Sequence, residues 1–518
     1  MNTLSGLDAL FLYLETPQTP MHIGSFCLYA LPPGFEGSWH PTVQQHLAAR
    51  LPDLPAFTRQ LDFMPLNLGH PAWAYVPPAE LDLDFHIRVV KTPTLKGQQP
   101  PKILTQREAE KICAQLHGQL LDRNRPLWEL HVFEHILGPQ GQRYTGLYSK
   151  VHHAALDGEG GAALTRAMLD QHPHTLSQRP RRPKQTSDHS NAPAAWSTAQ
   201  KIGDVLGRSL SQYGRLLQAL PAATRSVGST LLQQTVRRSG GQVRWQSPLP
   251  LAPLGPFNRA IGPQRRFATA CLPFASCHNM ALQAGGSFND IILWLCASAL
   301  RRYLAQQGAP TQQSLLAAMP ISLREAGNPH FNTQANTQAS MTVVELATSV
   351  ADPLERLHTI MQSNKRVKQA RLRLKDLIPT DFPSLLAPWV VGGLARTAFE
   401  IYRHSGLSHR LPMMANLVIS NVAGPPETLY LAGAKLLTYY PLSIVIHGLA
   451  LNITLQTYAG HVYFGLIADR HAVPDAQVLA DALYQAYEEA CELLHKPRRP
   501  GRKRTNPEAV RASAESAH

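Results

Sequence analysis

The sequence predicts an α/β or α+β protein of two domains joined by a connecting segment, and three observations lead there. At 518 residues the chain exceeds what one hydrophobic core serves. Strand-like and helix-like patterns alternate in both halves. Between the halves lies a stretch of Arg, Pro, Ser, Gln and Asn in which no apolar period survives. Apolar residues at 44% with 16% charged suit a globular protein and exclude wholesale disorder.

The resulting division is 1–176 for a first domain, 177–266 for a basic linker with crossover helices, 267–495 for a second domain and 496–518 for a basic tail. In the first domain, Arg107 to Leu121 places Ile112, Leu116 and Leu120 at four-residue spacing, a helix signal. Tyr144 to His153 is short and rich in Tyr, Thr and Val, which reads as a strand, and Gly160 to Leu169 can begin a helix. The linker is marked by Arg179-Pro180-Arg181-Arg182-Pro183-Lys184. Beyond it, Ile202, Leu206, Tyr213, Leu217 and Leu220 fall near one helical face, with Lys201, Arg208 and Arg215 on another. That pattern fits a crossover helix with a solvated basic face, and equally a basic helix resting on an anionic membrane.

In the second domain, Ser287-Phe288-Asn289-Asp290 resembles a capping box that starts a buried helix over Ile291 to Leu304. Asn416 to Val422, Leu442 to His447, Asn452 to Tyr458 and Val462 to Ile467 then read as strands separated by Gly and Pro turns. Leu385 to Phe399 is either an interfacial apolar patch or a core helix broken by Pro388 and Gly392-Gly393. From Lys496 the chain is basic, then small and polar, the composition of a disordered tail.

A formal charge of +14 implies an anionic partner: nucleic acid, a phosphorylated cofactor or an anionic lipid surface. Nucleic acid is the weakest of these, because the basic residues concentrate in linker and tail without aromatic interleaving. The six cysteines form no CxxC pair and read as reduced core residues. The N-terminus has no basic n-region before Asp8, and no apolar run reaches the ~18 residues of a spanning helix. A cytoplasmic protein is expected, with peripheral attachment to the inner membrane or to lipid inclusions. Nothing in the residues specifies an oligomeric state.

The segment with the most chemistry is His152-His153-Ala154-Ala155-Leu156-Asp157-Gly158. On the expected strand, Leu147, Ser149, Val151 and His153 share one face, while Tyr148, Lys150 and His152 share the other. His153 then follows Val151 inward at the strand end, as a general base could, since imidazole titrates near pH ~6.5. Asp157 either orients the imidazole or pairs with an arginine and holds the loop. No GxSxG elbow or HExxH helix is present, which disfavours a serine relay and a zinc site. Taken alone, the pair also fits a structural histidine or a metal ligand.

HHxxxDG is the motif of acyltransferases related to chloramphenicol acetyltransferase, and further matches extend the likeness along nearly the whole chain. Leu4-Ser5-Gly6-Leu7-Asp8-Ala9-Leu10-Phe11, Glu15-Thr16-Pro17, Thr19-Pro20-Met21-His22-Ile23-Gly24, Pro126-Leu127-Trp128-Glu129, Asn289-Asp290, Pro320-Ile321-Ser322-Leu323-Arg324, Ser420-Asn421-Val422-Ala423-Gly424-Pro425 and Ala450-Leu451-Asn452-Ile453 occur in order. With these the chain resembles the bacterial wax ester synthase/diacylglycerol acyltransferase family. Ala423 departs from that pattern, standing where proline is common.

The resemblance implies two chloramphenicol acetyltransferase-like domains, each a mixed sheet flanked by helices, with a tunnel between them that meets the motif. It implies His153 as general base, His152 as supporting, Asp157 as structural or orienting, and Gly158, Asn289 and Asp290 as supporting residues. Asn289 either hydrogen-bonds within the site or helps begin its helix, while Pro126, Trp128 and Arg324 pack or fix loops. No metal and no permanently bound cofactor are expected; acyl-CoA is the co-substrate, and a long-chain alcohol or diacylglycerol the acceptor. An anionic membrane or lipid-droplet surface is the expected partner, and nucleic acid is not. The alternatives are a related acyltransferase with another alcohol acceptor and a noncatalytic lipid-binding scaffold.

Overall fold

The computed structural model describes residues 3–63, 70–91, 103–138, 141–156, 160–173, 251–309, 312–322, 339–374 and 413–495. Asp157, Gly158, Arg324, the basic stretch Lys201 to Leu220, the apolar stretch Leu385 to Phe399 and the tail lie outside these residues.

Fifteen strands are described. In chain order the first seven are β1 (His22–Ala30), β2 (Arg59–Asp62), β3 (Ala72–Tyr75), β4 (Ile87–Val89), β5 (Leu104–Thr105), β6 (Trp128–Leu137) and β7 (Arg143–His152). The remainder are β8 (Arg265–Pro273), β9 (Leu316–Ser322), β10 (Ala339–Glu345), β11 (Leu417–Val422), β12 (Tyr430–Leu431), β13 (Ala434–Leu442), β14 (Leu451–Tyr458) and β15 (His461–Asp469). A seven-stranded sheet runs β12-β13-β1-β7-β6-β4 with β5 also on β6, and a six-stranded sheet runs β10-β9-β11-β14-β15-β8. Both mix parallel and antiparallel pairs, so the expected α/β architecture with two sheets is present.

The two sheets are not built from separate halves of the chain. Residues 430–442 cross over, and β13 pairs antiparallel with β1, Gly24 opposite Leu442 and Cys27 opposite Tyr439. Where β13 meets β15, a Cβ on Gly465 would stand 1.7 Å from the Pro441 carbonyl oxygen, so glycine alone permits the approach. The Tyr463 and Tyr458 hydroxyls donate to Leu437 and Leu436 carbonyls at 2.9 and 3.1 Å and tie the same seam.

The helices are α1 (Gly6–Leu14), α2 (His40–Ala48), α3 (Leu83–His86), α4 (Gln106–His117), α5 (Gly160–Met168), α6 (Phe274–Ala284), α7 (Phe288–Gln306), α8 (Pro353–Leu374) and α9 (Ala476–His495). Helix α4 begins at a Thr105/Glu108 capping box and buries Ala109, Cys113 and Ala114. It ends at His117, short of the expected Leu121, and Leu120 is exposed. Gly118 sits so close to the Pro263 carbonyl that a Cβ would approach to 2.7 Å. Ser287 and Asp290 form the expected capping box, and α7 runs buried from Ile291 to Leu300. The strand expected over Leu442 to His447 is displaced: β13 stops at Leu442, and irregular chain over residues 443–445 leads into a turn closed by the Ile446–Leu449 bridge, with Gly448 at φ 85°. No disulfide joins any of the six cysteines, and four of them are buried.

Candidate active site

Strand β7 delivers the histidine pair between two anchors. His152 N–H donates to the Leu127 carbonyl at 2.9 Å, and His153 N–H donates to the Met21 carbonyl at 2.8 Å, after which residues 153–155 turn as a 3₁₀ helix. The alternation expected along β7 is present. Leu147, Ser149 and Val151 line a cavity on one face. On the other, Tyr148 bonds His117 at 2.8 Å and Lys150 reaches Glu129 at 3.3 Å and the carbonyls of Leu116 and Gln119. The strand ends at His152, however, so strand parity stops one residue before His153, whose ring direction is set by the turn and by α1.

His152 is fully buried, and its environment fixes its tautomer. Nδ1 accepts the Ala154 N–H at 3.1 Å, so the proton sits on Nε2, which faces Glu15 Oε1 at 3.3 Å, within ion-pair reach but out of line for a full hydrogen bond. Glu15, at the end of α1, also accepts from Met21 N–H at 3.1 Å and from Arg123 Nε and Nη2 at 3.1 and 2.9 Å. Burial alone would raise this carboxyl, but His152, Arg123 and the Met21 N–H outweigh it and hold Glu15 below its usual range.

His153 stacks on Phe11 of α1, ring centroids 3.9 Å apart and planes 19° from parallel. The residue is half-buried, with its Nδ1 enclosed. Burial, then the neighbouring His152, pushes its imidazole down to about 4. Nδ1 is enclosed with no hydrogen-bond partner among the described residues. A neutral imidazole so held can accept a proton at its other nitrogen.

The remaining expected residues divide. Asn289 is half-buried in the first turn of α7. Asp290 accepts from Ser287 N–H at 2.8 Å, Ser287 Oγ at 2.7 Å and Asn364 Nδ2 at 2.5 Å, so it caps α7 and ties it to α8. Among the described residues, neither is hydrogen-bonded to His152 or His153. Trp128 packs between Phe57 at 4.1 Å and His86 at 4.3 Å, and Leu127 lends its carbonyl to His152. Chemistry in the sequence does not single out Phe11, Glu15, Met21 or Arg123, although Phe11, Glu15 and Met21 belong to the N-terminal elements that carry the family resemblance; their approach to the pair is a matter of tertiary contact. Among the described residues, no three His, Cys, Asp or Glu side chains converge as metal ligands.

Residues 4–292 match the wax ester synthase/diacylglycerol acyltransferase catalytic domain, and residues 336–490 match that family's C-terminal domain. The chain belongs to the wax ester synthase/diacylglycerol acyltransferase family. A Mycobacterium tuberculosis relative, named a probable diacylglycerol O-acyltransferase, is 31% identical over 488 residues, 92% of this chain and 96% of its own. The solved wax ester synthase/diacylglycerol acyltransferase of Marinobacter aquaeolei VT8 is 27% identical, with TM-score 0.62 over 95% of this chain and 100% of that one. This family member is therefore an acyltransferase, acting between an acyl donor and an acceptor. No helix among its described residues is long and apolar enough to cross a membrane.

Proposed function

We propose that the enzyme transfers an acyl group from acyl-CoA directly to the free hydroxyl of diacylglycerol, of a long-chain fatty alcohol, or of both, with His153 as general base. The observation that carries this reading is the neutral, positioned imidazole of His153, stacked on Phe11 at the end of β7. In this reading the enclosed Nδ1 carries the proton and Nε2 the lone pair. That nitrogen takes the proton as the acceptor oxygen attacks the thioester carbon. The tetrahedral adduct then collapses, the carbon–sulfur bond breaks, and the imidazolium protonates the departing thiolate. A low imidazole pKa favours this second half, because thiols have pKa values near ~8.5 and draw the proton from imidazolium. The formal charge of +14 suits the CoA phosphates.

Diacylglycerol as an acceptor is supported by the names of the relatives, and a long-chain alcohol by the family's other activity. Within this reading Asp157 has a structural or orienting role and Gly158 a supporting one, and Asn289 and Asp290 support the site through α7. Without a spanning helix among the described residues, a peripheral position on an anionic membrane or a lipid inclusion suits water-insoluble acceptors.

The test is thiol release from hexadecanoyl-CoA in the presence of diacylglycerol, hexadecanol or a short alcohol. Release dependent on a long-chain acceptor is expected, and His153→Ala should lower it by about 10² to 10⁴-fold while remaining folded. Near-normal turnover in that variant removes His153 from its role.

A further inference from the structure

We propose that the space between the first sheet and α5 is a binding site for one long alkyl chain, graded in depth by facing residues of β1 and β7. The inference rests on the acyl-transfer reading above and adds where a chain lies and which residues limit its length. The space is about 600 Å³ when its open mouth is counted, and most of the side chains around it are apolar.

Its floor is a ladder. Ile23 faces Val151, Ser25 faces Ser149 and Cys27 faces Leu147 across the antiparallel pair, and all six line the cavity. The first rung abuts the His153 turn, since Val151 precedes His153 by two residues and Leu156, another lining residue, follows it by three. Leu164 and Met168 of α5 line the same space from another side. At ~3.3 Å per strand residue, the floor from Ile23 to Tyr29 runs about 20 Å. One leaflet of a bilayer gives an acyl chain ~15 Å, so the length is right for a membrane-derived chain. Tyr29 is the last residue of β1 to line the cavity, and its ring packs 5.0 Å from Trp39.

The hydroxyls of the wall already have partners. Ser25 Oγ and Ser149 Oγ bond each other at 2.8 Å, and Thr165 Oγ1 bonds the Tyr439 hydroxyl at 3.3 Å. No charged side chain is among the described lining residues. A polar headgroup would lose its hydration here without replacement. An alkyl chain gains about fourfold in binding for each methylene it buries.

The donor's acyl group and the acceptor's chain share this chemistry, and the experiment separates them. Ser149→Phe puts a ring on the second rung and Cys27→Phe one on the third. Each variant is assayed with acyl-CoA donors from butanoyl to octadecanoyl against one alcohol, and with alcohols from butanol to octadecanol against one donor. In one of the two series the preferred length should shorten, more for Ser149→Phe than for Cys27→Phe. The loss for a hexadecyl or hexadecanoyl chain should be about tenfold or more, with less than about twofold for the short chain. Met168→Ala, which widens the cavity from α5, should lengthen the preferred chain and serves if a phenylalanine variant does not fold. A second readout needs no turnover: the wild type should bind cis-parinaric acid saturably, and Ser149→Phe about tenfold more weakly. Either readout moving in this graded way supports the site; unchanged length profiles together with unchanged parinaric acid binding overturn it. Graded binding without ester formed in any pairing would uphold the site and overturn the acyl-transfer reading instead.

Discussion

Glu15 Oε1 stands 3.3 Å from His152 Nε2, and the same oxygen accepts the Met21 N–H, so one buried carboxylate braces both the motif's first histidine and the Met21 backbone that holds the second. The path to His153 runs through two backbone contacts, Ala154 N–H on His152 and His153 N–H on the Met21 carbonyl. Glu15 is thus a positioning residue. Glu15→Gln keeps the size and loses the charge; kcat should fall by up to about a hundredfold with KM little changed, since small displacements of a reacting group are that costly. Glu15→Ala leaves Arg123 and the Met21 N–H short of a partner and should also lose about 1–3 kcal/mol in urea unfolding. Equal losses in kcat/KM and stability with kcat intact would show a purely structural carboxylate.

The pH dependence of turnover reports on the burial of His153. An ordinary histidine base would lose activity below its pKa of ~6.5. Burial pushes His153 down to about 4, so the neutral, active form persists and kcat should stay level from neutral pH to well below pH 6. Steady-state rates at saturating donor and acceptor check this. An acid limb at an ordinary histidine pKa would mean that the imidazole is solvated during turnover.

Stability should respond to acid in two stages with a common sign. His46 and His117 are buried and His153 half-buried, all three neutral, with pKa values pushed down by burial to about 4, about 3 and about 4. Between those values and ~6.5 the unfolded chain binds protons that the folded chain refuses, so their contribution is complete above pH ~6.5 and is lost as pH falls. Glu129 acts lower. Burial would raise it, but His131 and Lys150 outweigh burial and hold it at about 2, so its contribution is present above the unfolded carboxyl value and is lost as pH falls toward 2. Urea midpoints measured from pH 7 downward should decline already near pH 6, and His117→Asn should flatten that first decline.

What the sequence disclosed was whatever depends on short-range pattern. The Ser287/Asp290 cap, the strand ending at the histidine pair and the face carrying Leu147, Ser149 and Val151 follow from spacing alone, and the structure has them. The direction of the His153 ring did not follow, because parity ends with the strand and a 3₁₀ turn takes over. The strand expected over Leu442 to His447 failed for a related reason: β13 ends at Leu442, and Ile444, Val445 and Ile446 lie buried or half-buried in irregular chain leading into a turn, which apolar content alone does not distinguish from a strand. Glu15 and Phe11 lie more than 130 residues from the pair they brace, and the crossing of residues 430–442 into the first sheet spans a still greater separation. Such contacts leave no periodic trace in a single chain.

That crossing yields the most direct test of how the halves are joined. The backbones of β13 and β15 approach so closely at Gly465 that an added methyl would meet the Pro441 carbonyl oxygen at 1.7 Å. Backbone cannot swing aside as a long side chain can, so Gly465→Ala must part the sheets locally. Tyr463, two residues away, donates its hydroxyl to Leu437 and crosses Tyr440 edge-on at 5.3 Å, so the displacement should propagate along the seam. Overpacking of this kind costs about 1–3 kcal/mol, and more where the obstacle is main chain. Because β13 also pairs with β1 beside the cavity floor, activity toward long chains should fall together with the thermal midpoint. Gly460→Ala, at a turn where a methyl meets nothing within 4 Å but φ is 81°, is the comparison: strain without collision. It should cost stability by about 1 kcal/mol through its left-handed backbone and leave chain-length preference unchanged. A Gly465→Ala protein with wild-type melting and turnover would show that the two sheets do not meet at this seam.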